Sequence, residues 1–263
     1  MNSHALPAAF AAALALLAPG LAHAQEQEQR EPRRVRVALG PQLVPSYPGS
    51  DKHNLRPLID VSRASGGEVF DFEAADENIN IPLVRTGGFA FGPAANFEGS
   101  RRPSEVGADV DKVGFSVELG GFAQAWITPQ LRAYAEVRQG VSGHRGLVSN
   151  VNVDYVVRDG DRWLFSIGPR VSLSDGKYQR AYFSVDARES LATGLPQFRP
   201  GSGVHAVGAS ATGLYQLTDR WGLYGYVKYD RLVDDAADSP ITRAYGSRNQ
   251  LSGGVSLSFT FNR

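Results

Sequence analysis

Polarity alternates along most of this chain with the period of a β-strand. The clearest case is Gln250–Phe261, QLSGGVSLSFTF. Leu251, Gly253, Val255, Leu257, Phe259 and Phe261 fall on one face, and Gln250, Ser252, Gly254, Ser256, Ser258 and Thr260 on the other. Successive strand side chains point to opposite faces, so this is a ribbon with one apolar side and one small polar side. An edge strand of a soluble sandwich would usually carry Lys, Glu or Arg on its wet side. Ser, Thr and Gly there, with Phe at the end, fit the closing strand of a barrel whose outer face meets lipid.

The same period predicts eleven earlier strands. They lie near Arg33–Leu43, Leu55–Arg63, Val69–Phe72, Ile79–Leu83, Phe89–Phe97, Val113–Trp126, Leu131–Arg138, Leu147–Val157, Trp163–Leu173, Gly203–Leu217 and Trp221–Tyr229. Pro82 weakens the fourth, because proline cannot donate to a ladder. Asp159-Gly160-Asp161 is a strong hairpin signal. No helical apolar period of useful length and no internal repeat beyond the hairpins is present.

Twelve antiparallel strands is an even number, as single-chain bacterial barrels require. With both termini in the periplasm, the periplasmic turns are SGG (65–67), RTGG (85–88), TPQ (128–130), DGD (159–161) and TDR (218–220), all short. The outside connections are then 44–54, 74–77, 99–111, 141–146, 175–202 and 234–247, mostly longer. Trp126, Trp163 and Trp221 each lie within a few residues of a short turn, where tryptophan suits the membrane interface. Trp126 is on the opposite parity from Phe115 and Leu119, so it needs a bulge near Gly120-Gly121 or faces inward. The fold class predicted is therefore all-β, a transmembrane antiparallel β-barrel of about 12 strands, and closure satisfies the backbone in lipid. Its inner face is expected to carry Arg132, Glu136, Arg138, Asp154, Arg170, Lys228 and Asp230, either ion-paired across a narrow lumen or lining a pore.

Composition agrees and sets limits. Residues 1–24 read as a secretory leader, with an apolar run from Pro7 to Ala18 and Ala22-His23-Ala24 before Gln25. That run is too short to span a bilayer as a helix, which takes about 20 residues. Residues 25–34, QEQEQREPRR, read as a polar periplasmic lead-in, leaving 35–263 as the barrel. With 27 basic and 27 acidic residues the chain has no charge bias toward nucleic acid. It has no cysteine, so neither disulfides nor a lipid-anchor thiol are available.

Candidate chemistry is sparse. His144 has Ser142 and Ser149 near it in sequence, and His205 is followed by Ser210, but neither spacing matches a hydrolase signature and G-x-S-x-G is absent. Solvated loop histidines are the ordinary reading of His53, His144 and His205. Asp234, Asp235 and Asp238 offer hard oxygens without the regular spacing of a calcium loop, so a solvated acidic turn is expected. No catalytic residue, metal ligand or cofactor site is predicted.

Three stretches carry a family resemblance. They are PSYPGSD at 45–51, with Tyr47, Gly49, Ser50 and Asp51; AYFSV at 181–185; and DDAADSPI at 234–241, with Asp234, Asp238, Ser239 and Pro240. Followed by a Gly/Ser-rich strand ending in aromatics, they resemble the MipA/OmpV family of outer-membrane proteins. Ser184 stands where the family usually has glycine, and Asn262-Arg263 extend past the usual terminal aromatic. The resemblance implies an outer-membrane scaffold linking murein-synthesising and murein-hydrolysing enzymes at the periplasmic face. Its partners would be a lytic transglycosylase and a penicillin-binding protein. Porin-like channels and adhesive or immunogenic surface proteins also occur in the family. No functional residue carries across, and the motifs themselves are turn formers.

Overall fold

A computed structural model describes residues 33–262. The predicted leader and most of the predicted lead-in lie outside the described residues; Arg33 and Arg34 already belong to the first strand. The strands are β1 (Arg33–Pro45), β2 (His53–Ser65), β3 (Ile79–Asn80), β4 (Val84–Thr86), β5 (Phe89–Glu98), β6 (Ser116–Trp126), β7 (Leu131–Gly140), β8 (Leu147–Asp159), β9 (Trp163–Ser174), β10 (Gly203–Gln216), β11 (Trp221–Leu232) and β12 (Asn249–Asn262). They form one 12-stranded antiparallel sheet in the order β2-β1-β12-β11-β10-β9-β8-β7-β6-β5-β3, with β4 also on β5. The last strand thus pairs with the first, in register from Arg34↔Asn262 to Leu43↔Gly253.

The sheet is inside out by the standard of a soluble protein. Leu39, Leu257 and Leu223 lie in register on neighbouring strands, and their outward side chains are 60%, 46% and 50% exposed. On the opposite face of the same strands Arg36, Ser256, Ser258 and Tyr224 are buried. Exposed apolar residues recur on the strands all along the sheet, from Ile59 and Val61 through Val151, Phe165 and Ile167 to Val255 and Phe261. Only a lipid solvent makes an apolar exterior around a polar interior stable. The chain is a transmembrane antiparallel β-barrel, as the alternation predicts.

Two features differ from the sequence reading. The predicted strand Val69–Phe72 is not in the wall. Residues 67–78 run inside the barrel, with Phe70, Phe72 and Ala74 buried, and turn at Ala75-Asp76, where the Glu77 N–H donates to the Ala74 carbonyl at 3.0 Å. The predicted outside connection 74–77 is the inner end of that segment. The second difference concerns the predicted strand Ile79–Leu83, which is longer and broken. β3 and β4 both pair with β5, joined by Ile81 N–H to Pro93 O (3.1 Å) and Leu83 N–H to Phe91 O (3.1 Å). They are one strand line, interrupted at Pro82, which has no N–H to give. Gly92 faces the break, where a Cβ would stand 2.0 Å from the Ile81 carbonyl oxygen.

Because 67–78 still traverses the barrel, the classes of connection stay in phase. The short turns gather at one end. The other end carries five short helices: α1 (Pro103–Val106), α2 (Gly176–Phe183), α3 (Ala187–Thr193), α4 (Asp234–Asp238) and α5 (Pro240–Tyr245). Trp163 and Trp221 point outward at the short-turn end, 37% and 45% exposed. Trp126 points inward, packed edge-on against Phe72 at 6.2 Å, and β6 keeps an unbroken register with both neighbours. The inward alternative holds and no bulge is needed.

The exposed leucine row sets a test. Leu257→Arg should destabilise the barrel by about 2–4 kcal/mol, the cost of a basic group facing mid-bilayer lipid, read as a lowered midpoint of urea unfolding in phosphatidylcholine vesicles. A midpoint unchanged from wild type would contradict a lipid-facing row.

Candidate functional site: a filled lumen under a helical cap

The strand alternation that sends leucine outward sends arginine inward. All seven predicted inner-face charges lie on that face, with Arg132, Glu136, Arg138, Asp154 and Arg170 buried. A buried guanidinium is tolerable only when paired. Asp154 lies between two of them, its Oδ1 2.7 Å from Arg170 and its Oδ2 3.5 Å from Arg132. The remaining valence is filled from the inner segment. Arg132 donates to both oxygens of Glu77 at 2.5 and 2.9 Å, and to Gln124 Oε1 through Nε at 3.0 Å. Arg170 donates to both oxygens of Asp76 at 2.8 and 3.1 Å. Such two-pronged pairs fix geometry as well as charge.

The network extends on both sides. Lys228 lies 3.4 Å from Asp76 and 3.1 Å from Asp230. Arg138 bonds Glu118 at 2.7 Å and contacts Glu136. Asn78 donates to Glu136 at 2.6 Å, and Tyr134 donates to its other oxygen at 2.8 Å. Toward the short-turn end the segment is held by its aromatics. Phe70 packs beneath the guanidiniums of Arg34 and Arg36 at 4.9 and 4.5 Å, and Phe72 beneath Arg132 at 5.3 Å, cation–π contacts that gain strength where water is excluded. The Phe70 N–H donates to Asp161 at 2.9 Å, and Arg158 donates to the Phe70 carbonyl at 2.8 Å.

Sequence reasoning missed Asp76, Glu77 and Glu118. The first two sit in 74–77, a stretch whose polarity reads as an outside connection. Glu118 is an inward residue of β6, and the inward position of Trp126 on the same parity was its available signal.

The family-like motifs converge at the opposite end and close it. Tyr47 and Ser50 are buried in the β1–β2 loop. Gly49 N–H donates to Gln250 Oε1 at 3.1 Å, and Gln250 Nε2 donates to Ser50 O at 3.0 Å, so the first loop is tied to the closing strand. Ser239, fully buried between α4 and α5, donates to the Phe183 carbonyl of α2 at 2.8 Å. Pro240 opens α5, where a missing N–H costs nothing. Tyr47, Tyr178, Tyr182, Phe183, Ala236 and Ile241 share one apolar cluster. Arg101 enters it from the β5–β6 loop and donates to the Tyr182 and Asp111 carbonyls at 2.7 Å each. Burial pushes the Tyr178 and Tyr182 phenols well up, so the rings stay neutral. Ser184 adopts φ −76° and ψ 156°, extended backbone that needs no glycine. Asp51 is exposed. Asp234 and Asp238 are exposed; Asp238 accepts from Arg243 and Arg248, and Asp235 accepts the Gly201 N–H at 2.7 Å, so the acidic turn lies at the surface and is tied to the cap through Asp235 and Asp238.

Two of the three histidines are not solvated. His144 is buried, accepting the Gly146 N–H at Nδ1 (3.0 Å) and facing Glu118 through Nε2 (2.9 Å). His205 is buried with Nδ1 3.0 Å from Ser174 Oγ. Ser142 donates to the Phe115 carbonyl at 3.0 Å. Between the charge network and the cap remains a polar cavity of about 300 Å³, lined among others by Arg56, Glu98, Arg138, His205 and Lys228.

A family model described as "MltA-interacting protein MipA" matches residues 37–261. Three solved structures illustrate the likeness to outer-membrane proteins. A bacterial polysaccharide outer membrane secretin is 9% identical, with 87% of this chain and 98% of that one covered at a TM-score of 0.39. The outer membrane protein OprG from Pseudomonas aeruginosa is 9% identical, with 88% and 97% covered at 0.24. A Pseudomonas aeruginosa FadL homologue is 8% identical, with 88% and 90% covered at 0.29. A search of curated proteins found no significant match.

Asp154 is the residue on which the charge network turns. Asp154→Ala should cost about 3–5 kcal/mol, because two buried guanidiniums lose a shared partner, measured as the loss in unfolding free energy against wild type in the same vesicles. A loss below about 1 kcal/mol, the range of exposed pairs, would show that water reaches the network.

Proposed function

The chain belongs to the MltA-interacting protein family MipA, and on that membership and its filled lumen we propose that it is a non-enzymatic scaffold in the outer membrane. The leader 1–24 exports it, and it inserts with the short turns toward the periplasm. There it holds a lytic transglycosylase, and with it a penicillin-binding protein, so that cutting and extension of murein occur side by side. The observation that carries this reading is the pairing of Arg132 and Arg170 with Glu77 and Asp76 across the barrel. A segment pinned through the lumen obstructs diffusion, which weakens the alternative of an open porin.

The contact surface in this reading is the short-turn end: the turns after β4, β6, β8 and β10, the Ser65–Gly67 turn, and residues 25–32. Gln130 and Gly160 are exposed there. Trp163 and Trp221 anchor that end at the interface and hold the turns at a fixed height. The capped end serves to fold and seal the barrel.

Photo-crosslinkers at Gln130 and Gly160 test this in intact cells, with Leu191 of α3, 90% exposed at the capped end, as the comparison. The expected result is adducts to a murein transglycosylase or penicillin-binding protein from the two turn positions, absent from Leu191 and reduced when residues 25–32 are deleted. Recovery of the barrel alone, or equal adducts from Leu191, would overturn the scaffold and place the porin or surface-protein readings ahead of it.

A further inference from the structure

We propose that residues 67–78 are a displaced wall strand, and that the barrel has a second state in which this segment leaves the lumen, inserts between β2 and β3–β4, and opens a water path. The inference is independent of the scaffold reading, since it concerns the barrel's own closure.

The first argument is the edge. β2 pairs only with β1, and the β3–β4 line pairs only with β5; among the described residues no ladder joins these two edges. Of the twelve named strands β3 and β4 share one line, so the wall has eleven lines, an odd number. Every ladder is antiparallel, so with an odd count the two edge strands run in the same direction and have no antiparallel partner in each other. Unpaired N–H and C=O groups in a bilayer are costly, which is why spanning barrels close and single-chain bacterial barrels have even counts. A strand running the opposite way between them would supply the missing line. Residues 67–78 run that way: they leave the short-turn end after Ser65–Gly67 and lead toward the helix-bearing end as far as Asn78, beside Glu136 in the charge network. With the turn at Ala75-Asp76 straightened their length suffices, since a membrane strand needs about 9–11 residues.

The second argument is the segment's pattern. From Val69 to Ala74 it alternates as a wall strand does, with Phe70, Phe72 and Ala74 on one side and Asp71 and Glu73 on the other. In the structure it is turned the wrong way for a wall. The two phenylalanines and Ala74 are buried inside, while Val69, Asp71 and Glu73 are exposed. Rotation into the wall would put Phe70 and Phe72 against lipid and both carboxylates in the lumen. The alternation breaks at Ala75-Asp76, close to the end of β3, where an inserted strand would meet the rim.

The third argument is what holds it. The inner position rests on Arg132–Glu77, Arg170–Asp76 and Lys228–Asp76, on the cation–π contacts of Phe70 and Phe72, and on the bonds of Asn78 to Glu136 and of the Phe70 backbone to Asp161 and Arg158, with a peripheral contact of Asp71 to Arg85. One position satisfies buried guanidiniums and leaves edges open; the other satisfies the edges and frees the guanidiniums to water. Each state answers a deficit of the other, the arrangement that gives a bistable element two discrete packings.

The test is single-channel recording on the purified full-length barrel in planar bilayers, with hydrogen exchange in matching vesicles. D76N/E77Q should raise the open fraction by at least about tenfold, and should slow exchange of the β2 amides as they gain a partner. For the reverse, A75C/T212C places a tether where the Ala75 N–H lies 3.5 Å from Thr212 Oγ1. The chain has no other cysteine. Oxidised, this variant should lose its openings; reduced, it should regain them, so each molecule is its own folding control. Openings that persist in the oxidised tether, or a D76N/E77Q barrel that neither conducts more nor gains protection in β2, would overturn the proposal.

Discussion

A guanidinium inside a membrane barrel must find a carboxylate, and that requirement organises the interior. Arg132 and Arg170 face inward because their strands alternate and the outward positions must be apolar. Asp154, directly across from Arg132 in the β7–β8 register, can serve both guanidiniums but cannot fill either. The wall alone therefore leaves cationic valence unsatisfied at the centre of the lumen. Asp76 and Glu77 supply it from a segment recruited inward. The position of 67–78 follows from pairing energetics rather than from local preference, whereas the break in the strand beside it follows from Pro82.

This is also where the chain departs from what its pattern foretells. β12, the Asp159–Asp161 hairpin and the paired strands β10 and β11 were legible because a period of two and a turn signal suffice to specify them. Val69–Phe72 carries the same period and is not wall. Nothing local distinguishes Phe70 against lipid from Phe70 beneath Arg36, because both environments bury an aromatic ring; only the inward-facing arginines of distant strands decide between them. The inner face itself was legible residue by residue, since strand parity fixes it. Its carboxylate partners from outside the wall were not.

The cap was legible as motifs but not as structure. α4 and α5 are five and six residues long, too short to show a helical apolar period or to stand alone in water. They hold because Ala236 and Ile241 enter the cluster around Tyr182 and because Ser239 reaches the Phe183 carbonyl. The buried His144 and His205 belong to the same layer. Each looked like a loop or strand histidine in isolation, and burial arises only when α2 folds over the lumen and brings Tyr178 against both rings.

A division of labour between the two ends explains why the most distinctive residues lie far from the proposed partner surface. Sealing one end of a barrel takes many mutually dependent contacts: Gly49 to Gln250, Ser239 to Phe183, Arg101 to Tyr182. Each constrains several residues at once, so the cap writes recognisable motifs into the sequence. A short hairpin turn at the other end needs only a glycine, a proline or an Asp/Thr oxygen to form. Its remaining positions face water and are free to be shaped by whatever docks there. Distinctiveness in this chain therefore tracks packing, and the less distinctive short-turn end retains the freedom that recognition of a partner requires.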